Sequence, residues 1–370
     1  MKTYIMNPMR SRNNYSNSLS DKFSSVGGNT GNLIFYEAAK EQINYADEIT
    51  VSSNISAFNN GDANIVIPSS NFIMHGGNDS FYQNFIDFLN RTTCPVTLVG
   101  LGAQSSPVFN TPRKLVGGGV RSNKVKMTFF KMLSERTTTI GVRGPFTAEC
   151  LELMGISNYR IIGCPSYYKW TNGIFPSFKE PDVSSVQMSV TPSDRPPFKT
   201  GVLDRGIEHD CFWMMQSISE IPQMQIIFGR EIVNPKWRVR QFPFERHPSS
   251  RIKEYVNSKA VLCFSYDQWN EFYDSHNITF AFGTRFHGNM AAFRHRIPAL
   301  WITHDSRTRE LTNLLCLPHM DLKSFASTKH LEELVDRCNL AETERQYPNL
   351  CRNYVSFLDE NGISHKFHVR

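Results

Sequence analysis

Along this chain, short apolar runs alternate with longer stretches in which apolar positions recur three and four residues apart. The short runs predict strands and the longer ones amphipathic helices, and their alternation predicts an α/β fold. In the first half the strand candidates are 47–51, 63–67, 96–101, 137–142 and 159–162, with helices over 31–43, 79–90, 124–135 and 145–154. Runs as apolar as Ala63-Asn-Ile-Val-Ile67 suit parallel strands covered on both faces. From Thr171 to Ser185 the text turns loop-like, with Gly173, Pro176 and Pro181, which predicts a domain boundary. The pattern then restarts. Strand candidates are 186–191, 223–228, 260–264, 279–283 and 298–302, and helix candidates 208–219, 250–257, 266–274, 287–296 and 307–316. Residues 329–357 read as one or two tail helices. The expectation is two similar α/β halves, 1–175 and 176–370 with a helical tail, facing across a cleft.

Composition supports a folded chain. The 370 residues are 40% hydrophobic, 12% aromatic and 20% charged, which excludes intrinsic disorder and fits two full-sized cores. A net charge of +6 is too small to indicate a nucleic-acid partner. Eight cysteines are spread along the chain with no Cys-x-x-Cys pair, so no zinc or thioredoxin motif is present. They are expected as buried, reduced thiols in a cytoplasmic protein. Residues 1–14 are polar and lack the apolar core of a signal peptide, and no stretch is long and apolar enough to span a bilayer.

The charge is uneven. From Phe88 to Ser134 there is no acidic residue but seven basic ones: Arg91, Arg113, Lys114, Arg121, Lys124, Lys126 and Lys131. Part of this stretch, 113–131, surrounds the glycine-rich Gly117-Gly-Gly119. A solvated surface explains it; so does a landing face for an anionic acceptor or for peripheral contact with anionic lipid at the inner membrane face.

In open parallel sheets, ligands bind beyond the carboxyl ends of the strands, and the informative residues follow the strand candidates. His75-Gly-Gly-Asn78 joins a strand to a helix but matches neither GxGxxG nor a P-loop. Gly100-Leu-Gly-Ala-Gln104 ends the strongest first-half strand, and Gln104 is suited to bond a sugar hydroxyl. Arg143 ends another strand, with Pro145 starting a helix behind it. The strongest cluster is Thr284-Arg-Phe-His-Gly-Asn289: a cation (Arg285), an imidazole (His287) and a helix start (Gly288, Asn289) converge, as an oxyanion site requires. Arg307 and Arg309 follow the next strand. No Gly-x-Ser-x-Gly, His-Glu-x-x-His or acidic metal motif is present, so no metal ligand set and no cofactor is expected. Cations placed this way suit chemistry on a small, highly anionic donor.

Taken in order, these pieces resemble the polysaccharide pyruvyltransferase family. The carriers are Met74-His-Gly-Gly77, Gly100 to Gln104, Val142-Arg143, Ile162-Gly-Cys-Pro165, Thr284-Arg-Phe-His-Gly288, and Ile297 to Ile302 followed by Arg307. The likeness runs from about Gly27 to Leu317. The chain departs from the family where Gly28-Asn29 stands for Gly-Asp, Cys164-Pro165 for Asp-Pro, and Arg307 for lysine.

The resemblance implies two Rossmann-like domains in a GT-B-like arrangement. It implies phosphoenolpyruvate as donor on the C-terminal side, with Arg143, Arg285, His287, Gly288, Asn289 and Arg307 binding it. It implies a sugar or lipid-linked oligosaccharide acceptor on the N-terminal side, near Asn29, His75, Gly76, Gly77, Asn78 and Gln104. The product is a pyruvate ketal, with phosphate released. His287, with Arg285, is the expected catalytic pair, His287 acting as general acid or as a phosphate ligand. Two other classes compete: a nucleotide-sugar glycosyltransferase of the same fold, and a non-catalytic carbohydrate-binding protein.

Overall fold

A computed structural model describes residues 2–7, 19–55, 63–105, 109–190, 201–217 and 249–369. Two parallel sheets organise them. The first contains β1 (Lys2–Met6), β2 (Asp47–Ile49), β3 (Ala63–Pro68), β4 (Asn71–Met74), β5 (Val96–Gln104), β6 (Ile140–Val142) and β7 (Tyr159–Ile161). Its order is β2-β1-β3-β5-β6-β7, with β4 beside the far end of β5. The second contains β8 (Val186–Ser189), β9 (Phe212–Met215), β10 (Ala260–Leu262), β11 (Phe280–Gly283), β12 (Ala299–Thr303) and β13 (His319–Asp321). Its order, β10-β9-β8-β11-β12-β13, is the doubly wound arrangement that reverses direction between its first and fourth strands. Every pairing in both sheets is parallel.

The strands form where the sequence offers unbroken apolar runs. All six residues of β3 and all five of β12 are buried, as parallel strands covered by helices on both faces require. Helices start where the chain supplies caps. Asn78 caps Asp79–Asn90, Asn123 caps Lys124–Arg136, and Asp305 closes a capping box with Thr308 at the start of Ser306–Leu314.

The carboxyl ends of the two sheets face each other. Ser105, just after β5, bonds Ser306, just after β12, at 2.6 Å between hydroxyls. Cys164, after β7, meets His287, after β11. The halves also share one hydrophobic core, to which Tyr36, Tyr167, Phe293, Trp301, Tyr347 and Tyr354 all belong. The expected α/β class with two facing Rossmann-like sheets is what the chain adopts.

Two local expectations need correction. The polar-looking start holds β1, which lies between β2 and β3. Its side chains Ile5 and Met6 are fully buried, so a short strand hides in a segment that composition called polar. The helix expected over 208–219 is instead the end of helix Val202–Glu208 followed by strand β9. Asp210 adopts a left-handed φ of 53° between them, which stops the helix, and Trp213, Met214 and Met215 are buried in the sheet. The strand expected at 223–228 lies outside the described residues.

The tail also crosses over. Its long helix Ala341–Glu360 starts against the second half, where the Thr343 hydroxyl donates to the Cys316 carbonyl, and its C-terminal end reaches the first sheet. Glu360 pairs with Arg160 at 2.9 Å, the Asn353 amide donates to the Ile161 carbonyl at 2.8 Å, and the Asn64 amide donates to the Asn361 carbonyl at 2.9 Å.

Candidate functional site

The site sits where β11 ends at the reversal point of the second sheet. Gly283 closes that strand with φ 143°, and a Cβ there would lie 2.0 Å from the Ser189 carbonyl oxygen of β8. Only glycine allows the two strand ends to approach so closely. The backbone then turns, and the Arg285 N–H donates to Ser189 O at 3.0 Å. Arg285 occupies the N-cap position of helix Phe286–Arg294, and His287 falls in its first turn. Sequence order alone thus places a guanidinium and an imidazole at a helix N-terminus, where free N–H groups favour anions.

His287 reaches across to the first half. Its Nε2 lies 3.5 Å from Cys164 Sγ, and its ring is 5.4 Å from that of Phe35. Burial, with the nearby charges of Arg143 and Arg307, holds its imidazole well below the ordinary histidine range. It is therefore neutral at neutral pH in the ligand-free protein.

Arg143 is buried, 1% exposed. Its guanidinium donates to the Gly100 carbonyl at 2.8 Å, the Ser69 carbonyl at 3.2 Å and Asn71 Oδ1 at 3.3 Å, and it lies over the Phe35 ring at 5.7 Å. No carboxylate bonds it directly among the described residues, so its positive charge is held by carbonyl dipoles and acts on the neighbouring His287 through space. Arg307 begins the next helix of the second half. Its Nη2 is 3.6 Å from Asp305, while its Nε is buried without a hydrogen-bond partner. Asp305 is held down at about 2, despite its burial, by Arg307, His304 and the hydrogen bonds from Thr308. His304 is lowered by burial, and by Arg307 and Arg285 against the opposing pull of Asp305. Arg143, Arg285, Arg307, His287 and His304 thus act on one another across the cleft.

Gly288 and Asn289 come to the same place without facing it. A Cβ on Gly288 would lie 2.3 Å from Ser189 Oγ, and the Gly288 carbonyl accepts from Gln187 at 3.0 Å. Asn289 is fully buried, and its amide donates to the Gly283 and Leu300 carbonyls at 3.1 Å each. Both shape the turn after β11; the Asn289 amide is engaged within it, and Gly288 has only its backbone to offer a ligand.

The acceptor-side candidates divide. Gly77 and Asn78 line a cavity of about 200 Å³ together with Phe35 and Asn71. Gln104 is exposed beside it and accepts from the Asn71 amide at 3.3 Å. Gly76 lies at the rim of the same turn, its carbonyl accepting from the Lys126 ammonium. His75 stacks on Phe109 with ring centroids 3.9 Å apart. Asn29 pairs through its backbone with Ser217 of the second half, and its side chain accepts from Gly31 N. His75 and Asn29 do not line the cavity.

The basic stretch is corrected in one member. Lys126 is 1% exposed, and its ammonium is spent on the carbonyls of Met74 and Gly76, fixing the His75–Asn78 turn. Arg113, Lys114, Arg121, Lys124 and Lys131 are exposed. Among the described residues no helix is long and apolar enough to cross a membrane, and no three His, Cys, Asp or Glu side chains gather to hold a metal.

Two residues escaped the sequence. Cys164 was visible only as a departure from a motif. Glu310 gave no local signal, because its partner is Thr147, 163 positions away: Glu310 accepts from Thr147 Oγ1 at 2.8 Å and from Thr147 N at 3.1 Å. Burial pushes its carboxyl up to about 7.

A model of the polysaccharide pyruvyl transferase family matches residues 29–306, three quarters of the chain, taking in Arg143, Cys164, Arg285 and His287 and ending just before Arg307. The chain belongs to this family. This polysaccharide pyruvyl transferase family member is therefore a transferase enzyme, and the family implies a sugar or polysaccharide acceptor. No curated protein matches it significantly. Among solved structures, a Listeria monocytogenes protein assigned as a UDP-N-acetylglucosamine 2-epimerase is similar at 10% identity and TM-score 0.41, over 97% of this chain and 94% of that one. A variant of the wall teichoic acid polymerase TagF is similar at 11% identity and TM-score 0.38, over 97% and 84%.

Proposed function

We propose that this pyruvyl transferase family member moves the enolpyruvyl carbon skeleton of phosphoenolpyruvate onto two hydroxyls of an acceptor sugar, forming a pyruvate ketal and releasing phosphate. The observation that carries the reading is that Arg143 and Arg307 act on His287 at a helix N-terminus whose cap residue is Arg285, which with Arg307 also acts on His304. A donor with a phosphate and a carboxylate needs several fixed cations, and this cluster offers them with few opposing carboxylates.

Ketal formation requires a proton on the methylene carbon of the donor. The carbon bearing the phosphate then becomes oxocarbenium-like and one sugar hydroxyl adds to it. The C–O bond to phosphate breaks, the second hydroxyl closes the ring, and the two hydroxyl protons pass to phosphate and solvent. His287 is placed to supply the first proton. It is neutral in the empty site because burial, and then the charges of Arg143 and Arg307, disfavour its charged form. Donor anions seated among those arginines offset the repulsion and raise its affinity for a proton. On this account the donor loads the acid that attacks it. The arginines then stabilise the departing phosphate.

A nucleotide-sugar transferase reading lacks an equivalent support, since the sequence of the second half carries no Glu-x₇-Glu spacing of the kind that grips a ribose. The test is phosphate release from phosphoenolpyruvate across a panel of acceptor glycosides, with the ketal detected by NMR. Turnover of nucleotide-sugars, with none of phosphoenolpyruvate, would overturn the reading.

A further inference from the structure

The seam between the halves holds a thiol that the reaction as written does not use. Cys164 follows β7 in the first half and is fully buried. Its Sγ lies 3.5 Å from His287 Nε2 and 3.0 Å from Ser166 Oγ, within hydrogen-bonding reach of both.

This thiol has little freedom to move. It opens the short turn Pro165–Tyr167, whose backbone is held from two sides. The Gln42 amide donates to the Pro165 and Tyr168 carbonyls at 2.7 and 2.6 Å, and Tyr354 fixes Gln42 in turn by donating to its Oε1 at 2.9 Å. The Arg294 guanidinium donates to the Ser166 carbonyl at 2.9 Å. Arg294 ends the helix whose first turn carries His287, so this bond also sets the spacing between that helix and the Cys164 turn. Gln42, Ser166, Arg294 and Tyr354 are all buried, and water does not compete for these bonds. The imidazole is braced as well, with its ring 5.4 Å from Phe35 on one side and 5.4 Å from Phe286, edge-on, on another.

Chemistry then places the protons. His287 is neutral in the ligand-free site, so its ring has one N–H and one bare nitrogen, and the thiol keeps its own proton. A bare imidazole nitrogen is a good acceptor and a thiol sulfur a weak one. The favoured pairing therefore runs from the Cys164 S–H to Nε2, with the Ser166 hydroxyl donating to the sulfur. The ring's own proton is left on Nδ1, which has no hydrogen-bond partner among the described residues. Once the ring is charged, Nε2 must donate. A thiol can accept that bond by turning its proton to Ser166 Oγ.

We infer that Cys164 is a positioning residue for His287: it donates to Nε2 of the neutral imidazole and accepts from the imidazolium, which keeps a proton on Nδ1, the nitrogen open to a ligand, in both states. For its effect on turnover the inference rests on the pyruvyl-transfer reading; for the placement of the proton it does not.

The test is NMR of the ring nitrogens in the full chain with isotope-labelled histidine, the His287 signals being assigned by their loss in His287→Gln. The ligand-free wild type should show a protonated Nδ1 and a bare Nε2. Cys164→Ala should average the two nitrogens and lower kcat roughly tenfold, with the KM for phosphoenolpyruvate unchanged because Cys164 does not touch the donor. Cys164→Ser keeps a donor and an acceptor in the same place, and should preserve the wild-type nitrogen signals and recover most of kcat. A protonated Nε2 in the wild type, nitrogen signals unchanged in Cys164→Ala, or a wild-type kcat in Cys164→Ala overturns the inference. A loss that Cys164→Ser does not reduce also overturns it, because the volume of the side chain rather than its hydrogen bonding would then matter. Nitrogen signals that respond as expected while phosphoenolpyruvate is never consumed would overturn the pyruvyl-transfer reading and leave the Cys164–His287 pair standing.

Discussion

Glu310→Gln tests how the two halves are joined. Glu310 belongs to helix Ser306–Leu314 of the second half, yet its carboxylate accepts from Thr147 at the start of helix Pro145–Leu153 in the first. It lies against Gly144, one residue beyond Arg143. The residue is 7% exposed, and burial raises its carboxyl from 4.5 to about 7, overriding the Thr147 bonds and the Arg143 charge. The folded protein therefore holds this proton more tightly than the unfolded chain. The associated stability is fully present below pH 4.5 and is lost as pH rises through about 7. Its size is about 3 kcal/mol, at 1.36 kcal/mol per tenfold change in proton affinity.

Glutamine keeps an acceptor oxygen for Thr147 and cannot ionise. Glu310→Gln should match the wild type at pH 5 and exceed it at pH 8.5 by about 3 kcal/mol, or roughly 4 °C in melting temperature for a cooperative chain of this size. Parallel thermal scans of both proteins at the two pH values measure it. A variant less stable than wild type at pH 8.5 would show that the ionised carboxylate is well paired, and would refute the argument.

Three further outcomes follow from the site. Arg285→Ala should raise the KM for phosphoenolpyruvate by roughly tenfold to a hundredfold, the equivalent of about 1.5–3 kcal/mol for one charge-assisted bond, with the melting temperature little changed; an unchanged KM would contradict the donor assignment. Binding of phosphoenolpyruvate at pH 7.5 should take up a proton at His287, seen as a buffer-dependent calorimetric enthalpy that disappears in His287→Gln. Turnover should survive excess EDTA, and loss restored only by a divalent ion would disprove metal independence.

Much of the fold was legible because it is local. Unbroken apolar runs announced β3, β5, β11 and β12, amphipathic period announced the helices at Asp79 and Lys124, and a leading proline marked the one at Pro145. Because ligands gather beyond the carboxyl ends of parallel strands, the same reading placed Arg143, Arg285, His287 and Arg307 correctly on strand-to-helix turns. It failed at β1 and β9, where short strands carry too few residues for period or composition to speak.

What each of those residues does was decided by tertiary structure alone. Sequence marked Arg143 as a donor cation and Lys126 as part of a basic surface. Packing buries both, spending Lys126 on a turn and setting Arg143 on carbonyls close enough to act on His287. Sequence made Asn289 a ligand candidate, and the turn after β11 buried it. Glu310 meeting Thr147, Cys164 meeting His287, and Phe35 meeting both Arg143 and His287 are contacts between distant segments. No periodicity encodes such contacts, because each depends on how two sheets, built separately from local pattern, are brought face to face.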